Sequence, residues 1–228
     1  MAGLRVATWN CQHGRPMPAR VSEAVADLDV DVLAMQEVDR NTRRVGHRDL
    51  AVSANEVFQG ELVWAPALVL DGGGEYGNAL LVRGEIRDAE VVALPGRRRG
   101  KGSERRVAAV VAAMIDGHQW TIVNTHLSTV ASVAGDQLSY LLDTLRRWPA
   151  PRVLMGDLNL QPERLLPWLT AESYRAVIGP LTHPAHRPRR QIDYVAVSGR
   201  GCHVAPVEAI QLAVGDHRAL IAEVTRPD

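Results

Sequence analysis

The sequence predicts an α/β fold, with mixed β-sheets covered on their outer sides by helices. Three observations carry this. Short apolar runs of strand character recur along the whole 228-residue chain. Only a few segments carry an apolar stripe at helical spacing, the best being Leu138, Leu141, Leu142, Leu145 and Trp148. Many of the apolar runs end in a small polar, acidic or imidazole residue rather than in an ordinary turn.

Residues 4–10 alternate apolar and polar and end in Trp9-Asn10, a strand with a polar tip. After Pro16 and Pro18, Val21, Ala24, Val25 and Leu28 fall at helical spacing. Residues 30–38 form a nearly all-apolar second strand that terminates in Gln36-Glu37. A polar, basic loop spans 41–47, and 48–59 form a helix of weak periodicity. Residues 62–70 read as a strand and Asp71-Gly72-Gly73-Gly74 as a turn. The next strand, 76–82, opens with Tyr76-Gly77-Asn78. A short strand at 90–94 precedes a flexible basic loop at 95–104. Residues 106–115 and 119–126 pair as a hairpin around Asp116-Gly117, and the second arm ends in Asn124-Thr125-His126-Leu127.

Pro149 stops the helix of the leucine stripe. Val153 to Met155 form a buried strand that Gly156 breaks. An extended backbone there puts Asp157 and Asn159, two residues apart, on one face. Pro162 suits the first position of a helix carrying Leu165, Leu166 and Leu169. Residues 173–188 are an irregular loop, 192–197 a strand, and 218–224 the last strand, preceded by Gly215-Asp216-His217. No repeat or linker interrupts the chain, so one domain over 1–228 is expected.

Composition narrows the function. With 46% hydrophobic and 23% charged residues the chain is not a disordered one. Lys+Arg and Asp+Glu each total 26, so no global field marks a nucleic-acid or membrane protein. Two cysteines, Cys11 and Cys202, exclude a disulfide framework and a cysteine zinc site. No run approaches the roughly 20 apolar residues of a membrane helix, and the N-terminus lacks the apolar run of a signal peptide. A cytoplasmic monomer is the expectation. Trp64, Trp120, Trp148 and Trp168 lie in apolar contexts and are expected in the core.

Nine polar residues stand at strand tips: Asn10, Glu37, Asn78, His126, Asp157, Asn159, Asp193, Asp216 and His217. Singly, each has an ordinary reading as a turn former, a cap or a solvated side chain. Unrelated turns would not each follow an apolar strand with such a group. Carboxylates and amides are hard oxygen ligands, suited to Mg²⁺ or Mn²⁺. The sequence holds no His-Glu-x-x-His helix, no Walker loop and no serine-nucleophile elbow. Histidines beside a hard metal suit phosphoryl chemistry: an imidazolium steadies developing charge while a carboxylate orients and deprotonates water.

Trp9-Asn10, Gln36-Glu37, Tyr76-Gly77-Asn78, Asn124-Thr125-His126-Leu127, Gly156-Asp157-Leu158-Asn159, Ile192-Asp193-Tyr194 and Gly215-Asp216-His217-Arg218 occur in this order. In this the chain resembles the endonuclease/exonuclease/phosphatase superfamily. That superfamily includes DNase I, the exonuclease III-like AP endonucleases, the neutral sphingomyelinases and the inositol-polyphosphate 5-phosphatases. The resemblance runs from residue 5 to about residue 224. It implies a four-layer α/β sandwich of two packed mixed sheets flanked by helices, with one divalent-metal site at their upper edge.

The resemblance also implies roles. Glu37 resembles the principal metal ligand, with Asn10 beside it and Asp216 near the metal. Asp157 resembles the carboxylate that orients or deprotonates the water, and Asn159 an amide that helps hold the phosphate. His217 resembles the imidazole on the scissile phosphate, oriented by Asp193. His126 matches a phosphate contact or general acid, and Asn78 an asparagine at the substrate phosphate. DNase I-like members pair the His126-type histidine with a glutamate on the strand that here reads Tyr76-Gly77-Asn78. No glutamate stands inside that motif, and Glu75 is the nearest.

The expected function is therefore Mg²⁺- or Mn²⁺-dependent hydrolysis of phosphate mono- or diesters by in-line attack of water. A small-molecule or lipid-headgroup ester is favoured, because the chain is neutral and the connections that would carry DNA-wedging loops are compact. The alternatives are a nuclease acting on DNA or RNA and a non-catalytic binding module on the same fold. The clusters Arg97-Arg98-Arg99-Gly100-Lys101, Arg105-Arg106 and Arg187-Pro188-Arg189-Arg190 read equally as a phosphate-recruiting rim or as solvated loops.

Overall fold

Period-2 alternation sorts each strand's side chains onto two faces, and what each face covers sets the architecture. The computed structural model describes residues 2–70 and 72–227 and contains two six-stranded sheets. The first is built from β1 (Ala2–Asn10), β2 (Val32–Arg40), β3 (Glu61–Val69), β4 (Glu75–Val82), β11 (His203–Ile210) and β12 (Ala219–Arg226). Their order is β11-β12-β1-β2-β4-β3. The second is built from β5 (Glu85–Ala93), β6 (Val107–Ile115), β7 (His118–His126), β8 (Arg152–Asp157), β9 (Tyr174–Ala176) and β10 (Asp193–Ser198). Their order is β5-β6-β7-β8-β10-β9.

Val6, Val32 and Leu80 of the first sheet meet Val111, Ile122 and Val153 of the second in a central core. On its other face the first sheet turns Trp9, Leu33 and Leu81 onto α1 (Val21–Ala26) and α2 (Leu50–Phe58). The second sheet turns Val110, Leu154 and Tyr194 onto α3 (Ala131–Leu145) and α4 (Pro162–Ala171). Helices, sheet, sheet and helices make a four-layer α/β sandwich. The pairs β1–β2 and β7–β8 are parallel, and a segment containing α1 or α3 makes each crossover. Among the described residues no helix is long and apolar enough to cross a membrane.

The hairpin at Asp116-Gly117 forms as expected, with both residues left-handed at φ 48° and 76°, as a two-residue turn of this hand requires. Pro162 opens α4. Asp71 of the expected glycine turn lies outside the described residues. Other expectations need revision. The short strand at 90–94 is the end of β5, which begins at Glu85; as an edge strand it exposes Arg87 and Asp88, and these hide its period. Residues 173–188 include the edge strand β9. β11 is not among the expected strands, because its pattern is broken by Pro206 and a register shift between Pro206 and Glu208; an edge position tolerates both. Trp168 is 41% exposed, because Leu165 and Leu169 occupy the buried side of α4. Trp120 and Trp148 are buried, and Trp64 is half-buried.

The alternation that fills the central core also delivers polar residues to one end of it. Val6, Thr8 and Asn10 share a face, as do Val32, Ala34 and Gln36, and Ile122, Asn124 and His126. Val153 and Met155 lead to Asp157, and Val195 and Val197 follow Asp193. Register places Asn10 beside Gln36, His126 beside Asp157, and Asp157 beside Asp193. Beneath these tips, Gln36 Nε2 donates to Asn124 Oδ1 (2.8 Å) and Thr8 Oγ1 (3.0 Å). Asn124 Nδ2 donates across the sheet interface to the carbonyls of Met35 (2.9 Å) and Ala79 (2.8 Å).

Candidate active site

Glu37 breaks the alternation. Gln36 points into the sheet interface, so a regular strand would turn Glu37 outward. A bulge between Met35 and Val38, with Glu37 left-handed at φ 54°, aims its carboxylate into the cleft instead. Asn10 sits at the centre of the site. Its Nδ2 is 3.1 Å from Glu37 Oε1 and 3.1 Å from Asp157 Oδ2, so one amide joins the two sheets.

Asp157 Oδ2 has two further neighbours, His126 Nε2 at 3.4 Å and His217 Nε2 at 3.8 Å. Its Oδ1 accepts from the Asn159 backbone N–H at 3.1 Å. Asn159 does not continue the strand. Its φ is 51°, and its side chain reaches back to the Leu127 carbonyl at 3.1 Å. Asp157 and Asn159 both line the cleft, but through a turn rather than an extended backbone. Gly156 is what allows β8 to pass β7 here, since a Cβ at this glycine would lie 1.9 Å from the Thr125 carbonyl oxygen.

His217 Nδ1 donates to Asp193 Oδ2 at 2.8 Å, and Thr182 Oγ1 donates to the same oxygen. Burial pulls the His217 imidazole down, but the Asp193 charge and hydrogen bond, with Asp157 and Asp216, raise it to about 9. Burial and the charge of Asp193 push Asp157 up to about 7, against His217 and the Asn10 hydrogen bond. Glu37 is also raised, chiefly by burial.

The cleft has a volume of about 690 Å³. Glu37, His126, Asp157, Asn159, Asp216 and His217 line it, while Asn10 and Asp193 lie just behind. Asn78 is buried outside the lining, its amide donating to the Val107 carbonyl at 3.1 Å. Several cleft residues were not singled out from the sequence. His183 packs against His217 with ring centroids 4.5 Å apart and accepts at Nδ1 from Arg190 Nη2 at 2.8 Å. His13 Nδ1 lies 3.8 Å from Glu37, and Gln12 Nε2 donates to Asp216 at 3.0 Å. Arg106, grouped in the sequence with a basic loop, is 7% exposed and faces His126. Gln12 and His13 follow the Trp9-Asn10 tip with only Cys11 between, the one signal that marks them. Residues 97–101 of the basic loop are exposed apart from a contact of Arg97 with Ser132.

The donor chemistry discriminates between possible ion sites. Among the described residues, two groups bring ligand atoms within 4.8 Å of one another: His183 with Asp216 and His217, and Asp157 with Asp193 and His217. Neither is a set of hard oxygen donors, since each includes at least one imidazole. Arg190 occupies His183 Nδ1 and so places the proton on Nε2, and His217 is held as a cation by Asp193. Glu37 is different: a carboxylate raised by burial and hydrogen-bonded by the Asn10 amide. A hard cation relieves that cost, so Glu37, with the Asn10 oxygen and Asp216 nearby, fits a divalent ion bound by oxygen.

Comparison with known proteins agrees with this architecture. A family model described as the endonuclease/exonuclease/phosphatase family matches residues 7–217. An endonuclease/exonuclease/phosphatase structure from Bacteroides vulgatus superposes with a TM-score of 0.80 at 17% identity, covering 100% of both chains. One from Beutenbergia cavernae gives 0.77 at 22% identity, covering 98% of this chain and 72% of that one. Truncated TDP2 from Caenorhabditis elegans gives 0.72 at 17% identity, with 98% of each chain covered. No curated protein matches the sequence. From residue 7 to residue 217, motif order, four-layer sandwich and family match coincide, and the chain belongs to the endonuclease/exonuclease/phosphatase family.

Proposed function

We propose that the chain is a hydrolase of small phosphate esters that works with Mg²⁺ or Mn²⁺. The observation that carries this is the surroundings of Asp157 Oδ2: three donors, Asn10, His126 and His217, lie within 3.8 Å of one carboxylate oxygen. In this reading Glu37 and Asn10 hold the ion, with Asp216 beside it. Held there, a divalent cation would supply charge stabilisation at the phosphoryl oxygens. Asp157 orients a water molecule for in-line attack and takes its proton at Oδ2. His217, charged and fixed by Asp193, steadies a non-bridging phosphate oxygen as negative charge develops. Asn159 and His126 complete the phosphate contacts. A cleft of about 690 Å³ on a chain of zero formal net charge supports a small ester over a long polyanion.

The test is a panel of nucleotides, sugar phosphates, phospholipid headgroups, oligonucleotides and plasmid, each with Mg²⁺, Mn²⁺ or chelator. Chelator-sensitive phosphate release from small esters is expected, falling at least about 10²-fold in Asp157→Asn and His217→Ala. Plasmid nicking without any small-ester hydrolysis overturns the substrate class. Activity indifferent to chelator and to both substitutions overturns the mechanism.

A further inference from the structure

Arg106 immediately precedes β6 with its guanidinium folded inward. Its Nη1 lies 2.9 Å from His126 Nδ1, its Nη2 lies 3.3 Å from Glu104, and its buried Nε has no partner among the described residues. Guanidinium has no lone pair to offer, so in this contact Nδ1 of His126 must accept. The ring's single proton is then on Nε2, which faces Asp157 Oδ2 at 3.4 Å. Glu75 does not compete for the imidazole, since it accepts from the Trp64 indole N–H at 2.8 Å.

We propose that Arg106 is a positioning residue that holds His126 as the neutral Nε2–H tautomer, making it a fixed hydrogen-bond donor rather than a proton source for the leaving group. The part concerning the leaving group rests on the hydrolase reading above; the tautomer does not. The two imidazoles beside Asp157 are thereby held in opposite states. A carboxylate at Nδ1 makes His217 a cation, and a guanidinium at Nδ1 keeps His126 neutral. Burial, then the charges of Arg106 and His217, hold His126 well below the ordinary imidazole range. The groups facing it across the cleft are Asp157, His217 and Arg106, with Glu104 and Tyr76 beside the guanidinium. Where the resemblance implies a glutamate beside this histidine, the structure places Arg106.

Long-range proton–nitrogen spectra of the labelled protein at about pH 6, where a free imidazole is mostly protonated, read the tautomer without substrate or metal. An unprotonated Nδ1 and a protonated Nε2 are expected for His126. Protonation at Nδ1, alone or with Nε2, overturns the proposal. In Arg106→Met, with its amide spectrum confirming the fold, Nδ1 is expected to gain proton population; an unchanged ring spectrum overturns the role of Arg106. Kinetics separate donor from acid. His126→Gln, which places an amide N–H near the Nε2 position, is expected to stay within about tenfold of wild type while His126→Ala falls much further. Equal losses of about 10² to 10⁴ in both are the signature of a missing proton donor and overturn the proposal. Absence of any ester hydrolysis in the wild type sinks the proposed function, while the spectra still decide the tautomer.

Discussion

Replacing Asp193 with asparagine removes one negative charge from behind His217 while leaving an oxygen within reach of Nδ1. The wild-type imidazole is raised from 6.5 to about 9 despite its burial. That shift is a preference for the cation of about 3 kcal/mol, at 1.36 kcal/mol for each pH unit. At the observed 2.8 Å, a unit charge pair with an effective dielectric of about 20 is worth roughly 6 kcal/mol, enough to supply the shift and offset desolvation as well. Without that charge, the neighbouring acids left to oppose burial are Asp157 at 3.8 Å and Asp216 at 3.9 Å. His217 in Asp193→Asn is therefore expected to titrate near or below 6.5. Because its wild-type value is raised on folding, its contribution to stability is full below about 6.5 and is lost as pH rises through about 9. An NMR titration of the ring proton reads the shift directly, and thermal melts at pH 6 and pH 9.5 read the linked stability. The alkaline limb of ester hydrolysis should move from about 9 toward neutrality. A variant whose His217 still titrates at about 9 refutes the assignment of Asp193 as its counter-charge.

Two further outcomes are expected. Glu37→Gln should abolish the rise in melting temperature that Mg²⁺ or Mn²⁺ gives the wild type; an undiminished rise means that another group holds the ion. Gly156→Ala forces a side chain to φ 146° and to 1.9 Å from the Thr125 carbonyl. A loss of about 3 kcal/mol or more follows from strain and overpacking, read as a fall in melting temperature on the order of 10 °C. A fall below about 2 °C would show that β7 and β8 can separate at no cost.

What the sequence disclosed about this fold depended on how local each cause is. Strand tips were legible because alternation within a few residues fixes both the apolar face and the polar residue ending it, as in Val6, Thr8 and Asn10. The Asp116-Gly117 turn was legible for the same reason. β11 was not, because its pairing with β12 is made by a distant segment and Pro206 spoils its own pattern. The inward turn of Glu37 depends on a bulge that two strands make together. Arg106 stands beside Arg105, which is exposed, and nothing in the pair says which one folds inward. His183 lies in a loop without periodicity, and only the chain's return past His217 gives it a role. Partners separated widely along the chain, such as Asn10 and Asp157, were legible only through the order of the family's motifs.

The buried amides of Asn124 and Gln36 act as a key between the two sheets. One wall of the cleft belongs to each sheet, so a slip of a single residue between them would separate Asn10 from Asp157 by about 3.3 Å and undo their contact. Apolar faces alone tolerate such a slip, because one methyl replaces another. An amide bonded to the Met35 and Ala79 carbonyls does not. The cleft is thus aligned from below, by the floor on which it stands. The loops above it are relieved of that task and can be exchanged, insertion by insertion, without moving the carboxylates.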